Sequence, residues 1–219
     1  MSKTVHPYSF RIGILYGWKS RWFNLKKYKK YLMADVLLRE WMEKKLRGMF
    51  IQCIEIERTR NHMLIIIKTS RPGLLIGRKG EGSEKLKQEI LKKLNDIKAE
   101  IPQEVRLNIE EVRFPETHAK IVSQMIAEGL EKRMPFKRVM KQTLEKVMAN
   151  RDVKGAKISL SGRLGGADMS RYEWVKKGRI PLQTLRSDID FARERAHLPY
   201  GDLGIKVWIY KGELFEEKK

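Results

Sequence analysis

Gly77-Arg78-Lys79-Gly80, with the elements on either side of it, decides the fold. Upstream, residues 51–57 and 62–69 are rich in β-branched and aliphatic side chains and read as strands. The short polar link at 58–61 predicts an antiparallel hairpin. Pro72 opens a short helix over 72–76 that leads into the tetrapeptide. A longer helical pattern, 81–97, follows it, with Leu86, Ile90, Leu94 and Ile97 on one face. Val105, Leu107 and Ile109 then alternate with Arg106, Asn108 and Glu110, the pattern of a half-buried strand. Before the hairpin, an apolar period from Tyr31 predicts a helix burying Leu32, Val36 (with Leu37), Trp41 and Leu46. Gly48 stops it, after Lys44, Lys45 and Arg47 in the last turn. The order over 26–112 is helix, strand, strand, helix, turn, helix, strand.

Two glycines bracketing two cations between helices make a turn where backbone and charge meet phosphate. Glycine lets the backbone approach closely, and the following helix offers free N–H groups. A bare G-x-x-G is common and also serves as a plain solvated link. Here the flanking element order and the charge of the chain favour the arrangement by which KH domains clamp four nucleotides of single-stranded RNA.

Phe114-Pro115 marks a boundary, with Pro115 suited to a first helical position. Val122, Met125, Ile126 and Gly129 form an apolar stripe that ends at Lys132 and Arg133. Pro135 opens another helix at once, predicting a helical hairpin. After Gly155 the period becomes two, with Ile158 and Leu160 alternating with Lys157, Ser159 and Ser161. Three more strands are predicted near 170–176, 187–197 and 203–210, separated by glycine- and proline-rich turns. The fold class is therefore α+β, an α-β-β-α-α-β domain followed by a helical hairpin and an antiparallel sheet. Residues 1–24 lack a sustained period and read as an extended arm anchored by Trp18, Trp22 and Phe23. The expected division is arm 1–24, RNA-binding domain 25–113 and C-terminal domain 114–219.

Lys and Arg number 47 against 27 Asp and Glu in 219 residues, a net charge of +20. Such a surface repels itself unless something acidic lies against it, and nucleic acid is the first candidate. A membrane is not expected, because no run reaches the ~18–20 apolar residues of a span. No signal-peptide core is visible near Met1. Cys53 is the only cysteine, which excludes an intrachain disulfide and fits a reducing, cytosolic setting. No metal or cofactor is expected: the four histidines lie far apart, and neither G-x-S-x-G nor H-E-x-x-H occurs. Cys53 has aliphatic neighbours and reads as an inert buried thiol. No catalytic centre is expected.

Three basic clusters remain. Residues 1–50 hold twelve Lys/Arg and three Asp/Glu, and Lys26, Lys27, Lys29 and Lys30 interleave with Tyr28 and Tyr31. Those tyrosines either stack on bases or pack on the core. Lys137, Arg138 and Lys141 lie off the stripe Phe136, Met140, Leu144, Val147. Lys137 and Lys141 are like charges one turn apart, which an acidic partner would relieve; the alternative is a plain solvated face. The cluster Gly162-Arg163-Leu164-Gly165-Gly166 is no P-loop and reads as a strand-to-strand link, but Arg163, Arg171, Lys176, Lys177 and Arg179 make the region basic.

Over its whole length the chain resembles the bacterial-type small-subunit ribosomal protein S-three family. The resemblance rests on Val5-His6-Pro7, Trp18 and Trp22-Phe23, on Arg71-Pro72-Gly73 and Ile76-Gly77-Arg78-Lys79-Gly80-Glu81, and on Glu111-Val112-Arg113. It continues through Ser161-Gly162-Arg163-Leu164-Gly165-Gly166-Ala167, Glu173-Trp174, Gly178-Arg179-Ile180-Pro181-Leu182, Asp188-Ile189-Asp190 and Gly204-Ile205-Lys206-Val207-Trp208-Ile209. It implies a type II KH domain, a family-specific C-terminal domain, and a place in the head of the cytoplasmic small ribosomal subunit. The implied partners are rRNA, messenger RNA and neighbouring proteins of the S-ten and S-fourteen types. It implies that Gly77, Arg78, Lys79 and Gly80 contact RNA, and that Lys137, Arg138 and Lys141 face the path by which messenger enters and assist its unwinding. Lys137 stands where relatives usually have Arg; it keeps the charge without the planar fork. Many relatives carry a basic tail beyond the position of Lys211-Gly212-Glu213, and no role for such a tail is expected here. Two other readings stay open at this point: a free-standing KH factor in RNA processing or assembly, and a nucleic-acid-cleaving enzyme that docks through its KH domain.

Overall fold

A computed structural model describes residues 5–59, 61–97 and 103–215. The chain forms two compact units. Residues 18–113 make one, and the segment before residue 18 joins everything after 113 in the other. In chain order, α1 (Pro7–Phe10) belongs to the second unit. The first unit comprises β1 (Ser20–Arg21), α2 (Tyr28–Lys45), β2 (Ile51–Arg58), β3 (His62–Thr69), α3 (Pro72–Ile76), α4 (Glu81–Asp96) and β4 (Glu104–Glu111). The second is completed by α5 (Ala119–Glu131), α6 (Phe136–Ala149), β5 (Gly155–Gly162), β6 (Arg171–Gly178), β7 (Ser187–Leu198) and β8 (Gly201–Glu213).

In the first unit the sheet order is β1-β2-β3-β4. β2 and β3 pair antiparallel, as the polar link between them predicts, while β3 and β4 pair parallel. The parallel pair needs a long crossover, which α3 and α4 supply. Met63, Ile65 and Ile67 alternate inward to meet Leu38 and Met42 of α2 and Ile90 and Leu94 of α4. The predicted buried face of α2 holds at its C-terminal end, where Leu46 is buried and Trp41 packs on the core, but not at its start. Leu32 and Val36 are 43% and 41% exposed, and Ala34, Asp35, Leu38 and Met42 face the core instead. Apolar residues lie on several sides of this helix, so its period does not choose a face. Asp35 does: its carboxylate accepts two hydrogen bonds from Arg58, at 2.8 and 2.5 Å, and one from the Trp22 indole at 2.8 Å. Cys53 also departs from expectation. It is half-buried rather than buried, with Glu55 and Lys68 beside it.

In the second unit the sheet order is β6-β5-β8-β7, antiparallel throughout. The helical hairpin α5–α6 covers one face, setting Val122, Ile126, Val139 and Leu144 against Ile158, Leu160, Ile205 and Val207. Pro115 starts only a 3-10 turn over Pro115–Thr117, and α5 itself begins at Ala119. Asp190 of β7 accepts the Ala119 N–H at 2.7 Å and satisfies one donor of that helix start.

Within the expected arm, the described residues before 18 are fastened rather than extended. Arg11 is fully buried, and its guanidinium donates to the carbonyls of Pro7 (3.0 Å), Leu182 (3.0 Å) and Thr184 (2.9 Å). The Tyr16 hydroxyl donates to Asp188; burial and that bond push it well above the usual phenol range. Of the expected anchors Trp18, Trp22 and Phe23, Trp18 and Phe23 are 68% and 87% exposed, and only Trp22 packs inward. Ser20 and Arg21 pair in parallel with β2, so the first unit begins at Trp18, ahead of the expected division at 24/25.

Candidate nucleic-acid interface

The Gly77–Gly80 turn lies between α3 and α4. Gly77 has φ +68° and Gly80 φ +84°, and Lys79 between them is left-handed at φ +52°. A left-handed lysine is costly unless its surroundings impose it, and the flanking glycines make the turn feasible. Arg78 and Lys79 are both exposed. Ser83 braces the turn by donating to the Gly80 carbonyl at 2.7 Å. The residue that sequence reasoning missed is Gly82. A Cβ there would lie 2.5 Å from the Leu75 carbonyl oxygen and 3.0 Å from that of Ile76. Glycine in the first turn of α4 thus lets the end of α3 pack close, and a glycine one residue inside a predicted helix was the available signal.

Lys26, Lys27, Lys29 and Lys30 are all exposed at the start of α2, whose first turn holds no acidic residue. Cations at a helix N-terminus oppose the dipole and favour an anion nearby. Behind them, Trp22 packs on Tyr28 and Tyr31, with ring centroids 5.2 and 5.6 Å apart. Arg58 lies over the Tyr31 ring at 5.2 Å. Tyr31 is thus part of the packing, whereas Tyr28 remains 55% exposed. Trp22, Phe23, Asn24, Lys27, Tyr31, Arg58, Thr59 and Asn61 line an open cavity of about 700 Å³.

On α6, Lys137, Arg138 and Lys141 are exposed, whereas Val139, Met140, Leu144 and Val147 are buried; Lys137 flanks that buried stripe. None of the three forms an ion pair among the described residues, although Glu145 is one turn from Lys141. Folding brings Arg171 to the same end of the helix, with its guanidinium 5.7 Å from the Phe136 ring centroid. Arg163 differs from the other cations. It donates to Ala167 O at 2.9 Å and to Asp168 at 3.1 Å, so its guanidinium closes the glycine-rich loop. Arg171 also approaches Glu173 at 3.6 Å. Lys176, Lys177 and Arg179 are exposed along and just beyond β6. The Arg179 backbone passes so close to Gly155 that a Cβ there would lie 1.9 Å from its carbonyl oxygen.

Among the described residues, no group of three His, Cys, Asp or Glu side chains converges as a metal site would require, and no helix is long and apolar enough to cross a membrane. The cations form exposed patches on both units.

Two family models match separate stretches of the chain. A KH-domain family model matches residues 37–117, and a model for the C-terminal domain of ribosomal protein S3 matches 126–209. The whole chain is 46% identical to the small ribosomal subunit protein uS3 of Caldicellulosiruptor saccharolyticus, spanning 96% of that protein. The chain belongs to the uS3 family. It is also 44% identical to uS3 of Magnetococcus marinus over all of both chains. With uS3 of Myxococcus xanthus the identity is 43%, over all of this chain and 96% of that one. The uS3 assignment places the Gly77–Gly80 turn inside the KH match and the basic face of α6 inside the S3 C-terminal match.

Proposed function

We propose that this uS3-family chain is a structural, RNA-binding constituent of the small ribosomal subunit that grips messenger RNA as it enters. The observation that carries the messenger assignment is the exposed face of α6. Lys137, Arg138 and Lys141 stand there without ion-pair partners among the described residues, and Arg171 is folded against the same helix. A cationic rail holds phosphates without reading bases. It favours an opened strand over a folded one because it contacts the backbone as the strand emerges. No nucleotide hydrolysis is required for that. The Gly77–Gly80 turn, the lysines of α2 and the cations along β6 bind rRNA. Neighbours of the S-ten and S-fourteen types pack beside the chain in the cytoplasmic subunit, and the chain itself is not an enzyme.

The test replaces Lys137, Arg138 and Lys141 by Ala together. Subunit assembly should persist, because solvated side chains contribute little to stability. Elongation should slow on a hairpin-bearing messenger and be spared on an unfolded control. Equal slowing on both, or on neither, returns the cluster to a plain solvated face.

A further inference from the structure

The face of the β5–β8 sheet turned away from α5 and α6 carries aromatic rings that the proposal above leaves unused. Side chains alternate between faces along a strand. Ile158, Leu160, Ile205 and Val207 take the helical core, which leaves their neighbours on the other side. The strand register aligns those neighbours in rows across β6, β5, β8 and β7. Lys176, Lys157, Trp208 and Phe191 form the first row; Trp174, Ser159, Lys206 and Arg193 the second; Tyr172, Ser161, Gly204 and Arg195 the third. No Asp or Glu occurs in any of them.

Three observations indicate what this face meets. Lys157 lies directly opposite Lys176, and Arg193 directly opposite Lys206. Like charges across a strand pair destabilise a sheet unless an anion relieves them. Tyr172 and Trp174, two residues apart on the edge strand, are each 53% exposed, although large rings usually seek cover. The Lys157 ammonium lies 4.9 Å from the Trp174 ring centroid and 5.2 Å from that of Trp208, which fixes charge beside the rings. The far end of the face is already closed, with Ile180 and Leu182 packed on Phe191 and Tyr210. A lysine-bearing edge also discourages the addition of another strand, which disfavours an extended peptide as the occupant.

The geometry points to a stacking platform for single-stranded RNA. Tyr172 and Trp174 each receive the face of an unpaired base, while Lys157, Lys176, Lys206 and Arg193 hold the adjoining phosphates. Four-stranded sheets that stack bases on exposed aromatics work by the same physics, and the contact tolerates any sequence because every base has a π face. This rests on the RNA-binding reading and adds to it the aromatic residues and the bases they take.

The experiment uses the full chain and two short RNAs of equal length, one unstructured and one abasic at every position. The abasic strand keeps the phosphates and loses the stacking. The parent should bind the base-bearing strand more tightly. Trp174→Ala should weaken that binding about tenfold, leave the abasic strand unaffected and leave the salt dependence unchanged; Trp174→Phe should restore most of the loss. Ultraviolet crosslinking of the parent to the base-bearing strand should map to Tyr172 or Trp174, which keeps the test valid if Trp174→Ala fails to fold. Normal RNA binding with no effect of Trp174→Ala and no crosslink at either ring overturns the platform alone. Failure of the parent to bind either strand overturns the RNA-binding reading itself. In assembled subunits, protection of Trp174 from oxidation that survives ribonuclease digestion would assign the face to a protein and overturn the proposal.

Discussion

Replacing Asp35 by Ala should cost the KH unit far more than its place on a surface helix suggests. The Asp35 side chain is 1% exposed and that of Arg58 5%. One carboxylate oxygen accepts both Arg58 donors and the other accepts the Trp22 indole N–H. The substitution leaves a buried guanidinium and a partly buried indole without their acceptor. Removing one partner of a buried ion pair costs about 3–5 kcal/mol. That is a fifth or more of the ~5–15 kcal/mol that holds a typical domain. The assay is amide hydrogen exchange of the full chain, read on peptides from β2 and β3. At about 1.4 kcal/mol per tenfold, protection there should fall by roughly two to four decades. Peptides from β5 to β8 should be unchanged. The double change Asp35→Leu with Arg58→Met removes both charges and should recover more than half of the loss, since buried pairs replaced by apolar residues are often neutral. A loss under tenfold, or a double variant as unstable as the single one, would refute the claim that this pair selects the buried face of α2.

Two further outcomes are expected. Changing Arg78 and Lys79 to Asp should alter stability by less than ~0.5 kcal/mol per site, and if both side chains neutralise phosphates it should lower the salt slope of single-stranded RNA binding by roughly 1.4; an unchanged slope in a titration series would take the turn out of the interface. Burial and then the charge of Glu55 push the Cys53 thiol from 9.0 to about 11. Its folded pKa is therefore the higher one, so its contribution to stability is complete below the ordinary thiol range and is lost as pH rises from about 9 towards 11. Native protein should alkylate with iodoacetamide at pH 8 much more slowly than urea-unfolded protein, and equal rates would contradict this.

Much of the fold is written in the local period of the chain. α4 and β4 could be read because one face of each is apolar and the other polar, and the long strands of the second unit because glycine and proline punctuate them. The exposure of Lys137, Arg138 and Lys141 follows from the same period. What escaped reading depends on partners distant in sequence. Asp35 looks solvent-facing until Arg58 is placed beside it. Arg11 is just another cation until its acceptors, carbonyls 171 and 173 residues away, are known. Arg163 counts as surface charge until the loop folds around its guanidinium. The cation rows of the second sheet exist only once four strands are in register. Gly82 needed the approach of two carbonyls that no composition reveals.

The fastening of Arg11 has a consequence for biosynthesis. Residues 18–113 form a continuous unit that can fold as soon as it leaves the exit tunnel. The other unit needs both ends of the chain. Its opening segment is made first, yet the carbonyls of Leu182 and Thr184 that bury its arginine come 171 and 173 residues later. At about 5–20 residues per second, that segment waits roughly 10–35 s with a cation and a tyrosine still in water. The KH unit is thus a completed insert before its host begins to close, and a nascent chain halted near residue 150 should hold one finished unit and one unfinished one.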